Sequence, residues 1–274
     1  MIKILAIEGV NGVGKTTLTK LLSNYFTRNL KPIDCKVVTH RFPSYETEIG
    51  QQIRGMLKIS DLTNRTVCRE LVRLMIEDRH QWWVENYSNL IETKNALIIF
   101  DRYRMSNFFC SAPYFMENEN DLEGLKNTIK WMNELEIGAY RVPQEGLDII
   151  LTVDDLGIVL DRLAKQSDKH QHETKEAIIR QDELMYHAIK YDTKSFYTSI
   201  LFADATQYNK DYDPKDHNGD EDPKLASLAF QTLKHLGFSD DDIRKVSPYF
   251  ETLLNDFWMM LRRDEYEKSK IFPR

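Results

Sequence analysis

Eight residues near the N-terminus, Gly9-Val10-Asn11-Gly12-Val13-Gly14-Lys15-Thr16, fit the string G-x-x-x-x-G-K-[ST] and follow the apolar run Ile4-Leu5-Ala6-Ile7. A buried strand, a tight glycine turn and an opening helix point successive backbone N–H groups inward around a phosphate chain. Gly9, Gly12 and Gly14 let the backbone approach a ligand where a Cβ would clash. Asn11 and Val13 complete the loop, and Thr17 continues it into the helix. Lys15 can reach β- and γ-phosphates, and the Thr16 hydroxyl is placed to ligate Mg²⁺. The string therefore implies a bound nucleotide.

A second constellation lies at Leu97-Ile98-Ile99-Phe100, which ends in Asp101-Arg102-Tyr103 and is followed by Ser106. An acid at the carboxyl end of a strand beside the phosphate loop is where Mg²⁺ or an attacking group is met, and an adjacent arginine can bridge two phosphates. A GTPase should instead carry Asn-Lys-x-Asp. The only approach to it, Asn209-Lys210-Asp211-Tyr212, has its aspartate misplaced. The pattern favours a kinase.

These groups need a scaffold. Short apolar runs near 2–7, 36–40, 97–100, 148–152 and 199–203 alternate with helical patterns over 14–28, 47–57, 66–93, 121–136, 154–165 and 174–195. Such alternation predicts an α/β fold of the P-loop type, a five-stranded parallel sheet in the order 2-3-1-4-5 with helices on both faces. Residues 207–223 read as a polar surface loop, and 224–236 as a helix ended by Gly237. Residues 1–236 are expected to form the kinase domain and 237–274 a helical extension. There Ser239 caps a short helix, and Pro248 opens an amphipathic stretch to Arg263. Within it, Phe257-Trp258-Met259-Met260 has the spacing of a helix core, a homodimer surface being its alternative.

Bulk composition narrows the class. A chain of 274 residues with 29% charged residues suits a soluble protein with no membrane partner, and a net charge of −6 argues against nucleic acid. Cys35, Cys68 and Cys110 are scattered, which excludes a zinc or disulfide framework. A first strand that starts at once leaves no room for a signal peptide, so the expected location is cytoplasmic.

The motifs together resemble the thymidylate kinases. The likeness rests on Glu8–Thr17, on Arg41-Phe42-Pro43-Ser44-Tyr45-Glu46-Thr47-Glu48-Ile49-Gly50, on Leu71–Arg79 and on Asp101-Arg102-Tyr103-x-x-Ser106. It implies transfer of the ATP γ-phosphate to deoxythymidine monophosphate. Carried over by position, Lys15 and Thr16 hold the ATP phosphates and Mg²⁺, Asp101 organises Mg²⁺ and the acceptor phosphate, and Arg102 clamps that phosphate. Arg79 hydrogen-bonds a pyrimidine carbonyl, Phe42 walls the base site, and Met75 and Ser106 fall on the acceptor side. The departures are also there. Tyr45 stands where the family commonly has arginine, so that contact is lost or passes to Arg41 or Arg54. Asn11 replaces an acid, Met75 a stacking phenylalanine, and Phe109-Cys110-Ser111 the usual Ala-Tyr-Gln. A broadened choice of monophosphate is one consequence.

Gly12 occupies the loop position that carries arginine in some such kinases. The missing charge is expected from a lid over about 162–175, with Arg162 and Lys169 as ATP contacts and Lys165 and Arg180 as further candidates. His170 and His172, with no cysteine nearby, are not read as a metal site. Two rival readings remain: a deoxynucleoside kinase with Glu46 as base, and a nucleotide-binding protein weakened in catalysis.

Overall fold

The structure is a computed structural model that describes residues 1–59, 64–111, 114–116, 121–165, 174–195, 199–208 and 222–247. Five strands, β1 (Ile2–Glu8), β2 (Cys35–Arg41), β3 (Asn95–Asp101), β4 (Leu147–Thr152) and β5 (Ser199–Asp204), form one sheet in the order β2-β3-β1-β4-β5. Every pairing is parallel. The interior strands are apolar on both faces. Leu5, Ile7, Leu97, Ile99, Leu147, Ile149 and Leu151 point into one core, while Ile4, Ala6, Ile98, Phe100 and Ile150 point into the other. Continuous apolar runs are what a parallel sheet covered by helices on both sides requires.

The first core is closed by α1 (Lys15–Asn29), α6 (Leu156–Ala164), α8 (Pro223–His235) and α9 (Asp240–Val246). The second lies under α3 (Arg65–Ile91), α4 (Arg104–Ser111), α5 (Leu122–Asn133) and α7 (Lys175–Ser195). A third, smaller cluster joins α2 (Glu48–Ile59) to the first half of α3. Helix α3 starts cleanly because the Asn64 side chain accepts hydrogen bonds from Thr66 N and Val67 N. Its 27 residues span about 40 Å, with Arg79 near the middle.

Two elements differ from the sequence pattern. The helix expected over 121–136 stops at Asn133 and widens into a π-helical turn, Glu134–Ala139, with Tyr140 N donating to Leu135 O at 2.9 Å. The wide turn carries Glu136 into the interior, where it is fully buried. Helix α4 had no separate signal, because it begins at once after Asp101-Arg102-Tyr103. Beyond Gly237, Ser239 caps α9, and Ile243 and Val246 join the first core. Residues 248–274, with the Phe257–Met260 cluster, lie outside the described residues. Among the described residues no helix is long and apolar enough to cross a membrane.

Candidate functional site

Parallel register brings the carboxyl ends of three strands together: Ile7 pairs with Asp101, and Arg41 with the same Asp101. Out of β1 the chain turns through Gly9 (φ 140°), Gly12 (φ 79°) and Gly14 (φ 121°) before α1 opens at Lys15. A Cβ on Gly9 would lie 2.5 Å from the carbonyl oxygen of Leu151, so only glycine fits between β1 and β4 there. Lys15 is buried and folds back over this loop, donating to the carbonyls of Gly9 and Val10 at 2.7 Å each. Burial, with the Arg102 guanidinium second, pushes its ammonium pKa down to about 7.

Asp101 faces the start of α1. The Thr16 hydroxyl donates to Asp101 Oδ2 at 2.5 Å, and Arg41 Nε stands 3.7 Å from the same oxygen. Asp101 Oδ1 is buried without a hydrogen-bond partner. The next residue, Arg102, takes a left-handed backbone (φ 70°), fixed by its N–H donating to Ile7 O at 3.0 Å. That turn sends its side chain back to the glycine loop, where Nη2 donates to Asn11 Oδ1 at 2.7 Å. Beneath both loops lies the fully buried Glu8, which accepts from Tyr103 N at 2.7 Å, Ser106 N at 3.2 Å and Ser106 Oγ at 2.5 Å. Ser106, expected on the acceptor side, thus has its hydroxyl turned to Glu8.

The acceptor-side residues are held by a dense aromatic group. Phe42 is buried 5.3 Å from the Phe100 ring and 6.0 Å from Tyr103. Tyr103 stacks on Phe100 at 4.5 Å, accepts from Trp83 Nε1 and donates to Pro143 O. Trp82 and Trp83 are core. The loop after β2 is tied to α3 through Ser44 N, which donates to Asp78 Oδ2 at 2.9 Å, and back to β2 through the 2.8 Å hydrogen bond between Ser44 Oγ and His40 Nε2. Arg54 lies over the Tyr45 ring at 5.7 Å, while Met75 packs into the α2–α3 cluster. Arg79 is buried 6.0 Å from the Tyr103 ring centroid and paired through Nε with Glu136, a partner that sequence reasoning missed. Nothing in the local pattern marks Glu136, because the contact spans 57 positions.

On the other side of the glycine loop, Val13, Gly14, Thr17, Leu18, Leu151, Arg162, Ala205 and Tyr208 line a cavity of about 290 Å³. Arg162 reaches the loop from α6, donating to Val13 O at 3.0 Å. Ala205 and Tyr208 also escaped the sequence reading, since they follow β5 with no motif of their own. Lys169, with most of the expected lid, lies outside the described residues; Lys165 is exposed at the end of α6.

Comparison with known proteins agrees with this geometry. Among solved structures, the thymidylate kinase of Candida albicans, described for the origin of its broad substrate specificity, superposes with a TM-score of 0.54 at 17% identity, covering 85% of this chain and 91% of that one. The search of curated proteins found no match. The thymidylate kinase family model matches residues 7–207, from the end of the first strand to just past the last. The chain belongs to the thymidylate kinase family, and is a nucleoside monophosphate kinase with ATP as phosphate donor.

Proposed function

We propose that this chain transfers the γ-phosphoryl group of ATP to thymidine 5′-monophosphate, giving the diphosphate and ADP. An acceptor phosphate oxygen bonds to Pγ as the bond from Pγ to the β,γ-bridging oxygen breaks, and the electron pair leaves on ADP. Such a transfer needs alignment and charge neutralisation rather than covalent help from the protein. The observation that carries the reading is the convergence of Lys15, Arg102 and Arg41 on one crevice around Asp101. Lys15 would exchange the Gly9 and Val10 carbonyls for the β- and γ-phosphates. Arg102, now held by Asn11, stands between the donor loop and the acceptor side and clamps the acceptor phosphate. Arg41 or Arg54 supplies the contact that Tyr45 cannot make, and Phe42 forms the wall of the base site.

The donor base fits the cavity bordered by Thr17, Arg162, Ala205 and Tyr208, whose volume suits a flat heterocycle. We assign residues 162–175 to a lid, with Arg162 and Lys169 as its cationic contacts, and residues 1–236 to the kinase domain. Mg²⁺ fits the oxygen set: a hydroxyl and a carboxylate oxygen lie 2.5 Å apart, and the second carboxylate oxygen is buried and unpartnered. Thr16 and Asp101 would hold it, and bound there it would neutralise phosphate charge. Glu46, which a deoxynucleoside kinase would recruit as base, is exposed in the turn before α2.

The test is a turnover panel of deoxynucleoside monophosphates and thymidine, with ATP and Mg²⁺, on wild type, Lys15→Ala and Asp101→Asn. Each variant should fold and lose about 10²–10³-fold or more in kcat. Near-normal turnover in either, or thymidine outpacing its monophosphate in the wild type, removes the reading.

A further inference from the structure

Ser44 stands between β2 and α3 and is bonded to both. It is buried, its N–H donates to Asp78 Oδ2 on α3 at 2.9 Å, and its hydroxyl oxygen lies 2.8 Å from His40 Nε2 on β2. Burial raises the Asp78 carboxyl, and hydrogen bonds from the Ser44 N–H and the Ser44 side chain work against that rise. The half-buried His40 ring meets Phe42 edge-on at 4.7 Å and lies tilted over Trp82 at 5.4 Å, so it belongs to the same wall as the acceptor-side aromatics.

The place of two protons decides what this arrangement does. A serine hydroxyl donates one hydrogen bond and also accepts. Burial keeps the His40 pKa below the usual 6.5, against the pull of Glu46 and Asp78, so near neutral pH the ring is neutral and has a single N–H. With that proton on Nδ1, Nε2 can only take the Ser44 proton, which turns it away from Asp78. With it on Nε2, the histidine donates to Ser44 Oγ and leaves the serine proton for the carboxylate. Only the second order serves both partners of Ser44, and hydrogen bonds in series polarise one another.

We propose that His40 is a positioning residue for the acceptor, because hydrogen bonds running from His40 Nε2–H through the Ser44 hydroxyl to Asp78 fix the 42–47 turn against α3. The inference rests on the monophosphate-kinase reading and adds to it what sets the shape of the acceptor side. His40 itself touches no substrate. It acts through the residues that the hydrogen bonds bracket: Arg41 and Phe42 before Ser44, Tyr45 after it, and Arg79 next to Asp78. None of the three bonded residues lines the donor cavity, so ATP should not feel their loss.

The experiment compares wild type, His40→Leu, His40→Gln and Ser44→Ala in KM for dTMP, KM for ATP and kcat. Leucine keeps apolar bulk against Phe42 and Trp82 but has no donor, whereas glutamine gives up the ring and presents an N–H at about the reach of Nε2. His40→Leu and Ser44→Ala should each raise KM for dTMP about 10-fold, the worth of one buried hydrogen bond, with KM for ATP and kcat largely kept. His40→Gln should restore KM for dTMP to within about 3-fold of wild type, and adding His40→Leu to Ser44→Ala should cost nothing further. The reverse order, leucine tolerated and glutamine not, or an equal rise in both KM values, marks the histidine as packing and overturns the proposal. Nitrogen NMR of the wild type, with the His40 ring assigned through its own backbone, should place the proton on Nε2. A proton on Nδ1 overturns the proposal too, and this arm stands even where a variant fails to fold. A wild type active on thymidine but on no monophosphate refutes the acceptor reading itself, and this inference with it.

Discussion

Arg102 Nη2 and Asn11 Oδ1 meet at 2.7 Å, closing a hydrogen bond between the end of β3 and the glycine loop 91 residues earlier. The arginine reaches it from a left-handed backbone (φ 70°), a conformation costing a residue with a Cβ about 1–2 kcal/mol. Two effects can therefore be separated at one position. Arg102→Gly and Arg102→Ala both remove the guanidinium and should lose about 10²–10³-fold in kcat/KM. Only Arg102→Gly relieves the backbone, so it should be the more stable of the two by about 1 kcal/mol in urea unfolding. Equal stability would mean the turn holds no strain, and full activity in either would remove Arg102 from the phosphate site.

Lys15 has a pKa pushed down to about 7 by burial, with Arg102 second. Nucleotide polyphosphate beside it favours the ammonium form, so ATP binding should take up a proton wherever the free protein has lost it. At pH 8 the uptake should approach one proton per ATP, and at pH 6, where the free lysine is already charged, it should vanish. Titration calorimetry in buffers of different ionisation enthalpy reads this directly. Lys15→Arg, always protonated, should show no uptake at either pH. Zero uptake by wild type at pH 8 would show that the free lysine is an ordinary charged one.

Glu8 accepts three hydrogen bonds from Tyr103 and Ser106, and burial still raises its carboxyl above the usual 4.5. The sign follows from linkage. Above pH 4.5 the folded state binds more protons at this group than the unfolded chain does, so its contribution to stability falls as pH rises. Glu8→Gln keeps an oxygen for the two backbone N–H groups and has no such dependence. Urea unfolding at pH 5 and pH 8 should therefore show wild type losing ground to Glu8→Gln at the higher pH. A gap that stays constant, or opens the other way, would contradict the raised carboxyl.

Local spacing is why much of this could be read from sequence. The glycine string at 9–16 and Asp101-Arg102 at the end of an apolar run are short-range patterns, and strands buried on both faces appear as uninterrupted Val, Ile and Leu. The five-stranded order 2-3-1-4-5 follows from those runs and their crossover helices, and the structure has it. What escaped depends on contacts between distant segments. The Glu136 partner of Arg79 rests on a π-helical turn that interrupts no hydrophobic period. Ala205 and Tyr208 reach the donor cavity only because β5 lies next to β4. Met75, taken from resemblance for the acceptor side, is half-buried against the cluster of Ile53, Leu57 and Leu71, a neighbourhood that no local pattern announces.

Helix α2 holds two glycines with opposite surroundings. A Cβ on Gly50 would stand 1.9 Å from the carbonyl oxygen of Ser44, a backbone atom already accepting from Thr47 N and Thr47 Oγ1. That oxygen cannot rotate away, so Gly50→Ala must push the whole 43–47 turn, costing about 1–3 kcal/mol. Because the turn carries Tyr45 and is pinned to Asp78, KM for the acceptor monophosphate should rise while KM for ATP holds. Gly55 has nothing beyond its chain neighbours and its own helix backbone within 4 Å of its Cβ position, so Gly55→Ala should gain up to about 1 kcal/mol from helix propensity with both KM values unchanged. Thermal unfolding and two-substrate kinetics on the pair decide it. Should Gly50→Ala behave like Gly55→Ala, the close approach of α2 to the 43–47 turn is not what sets the acceptor side.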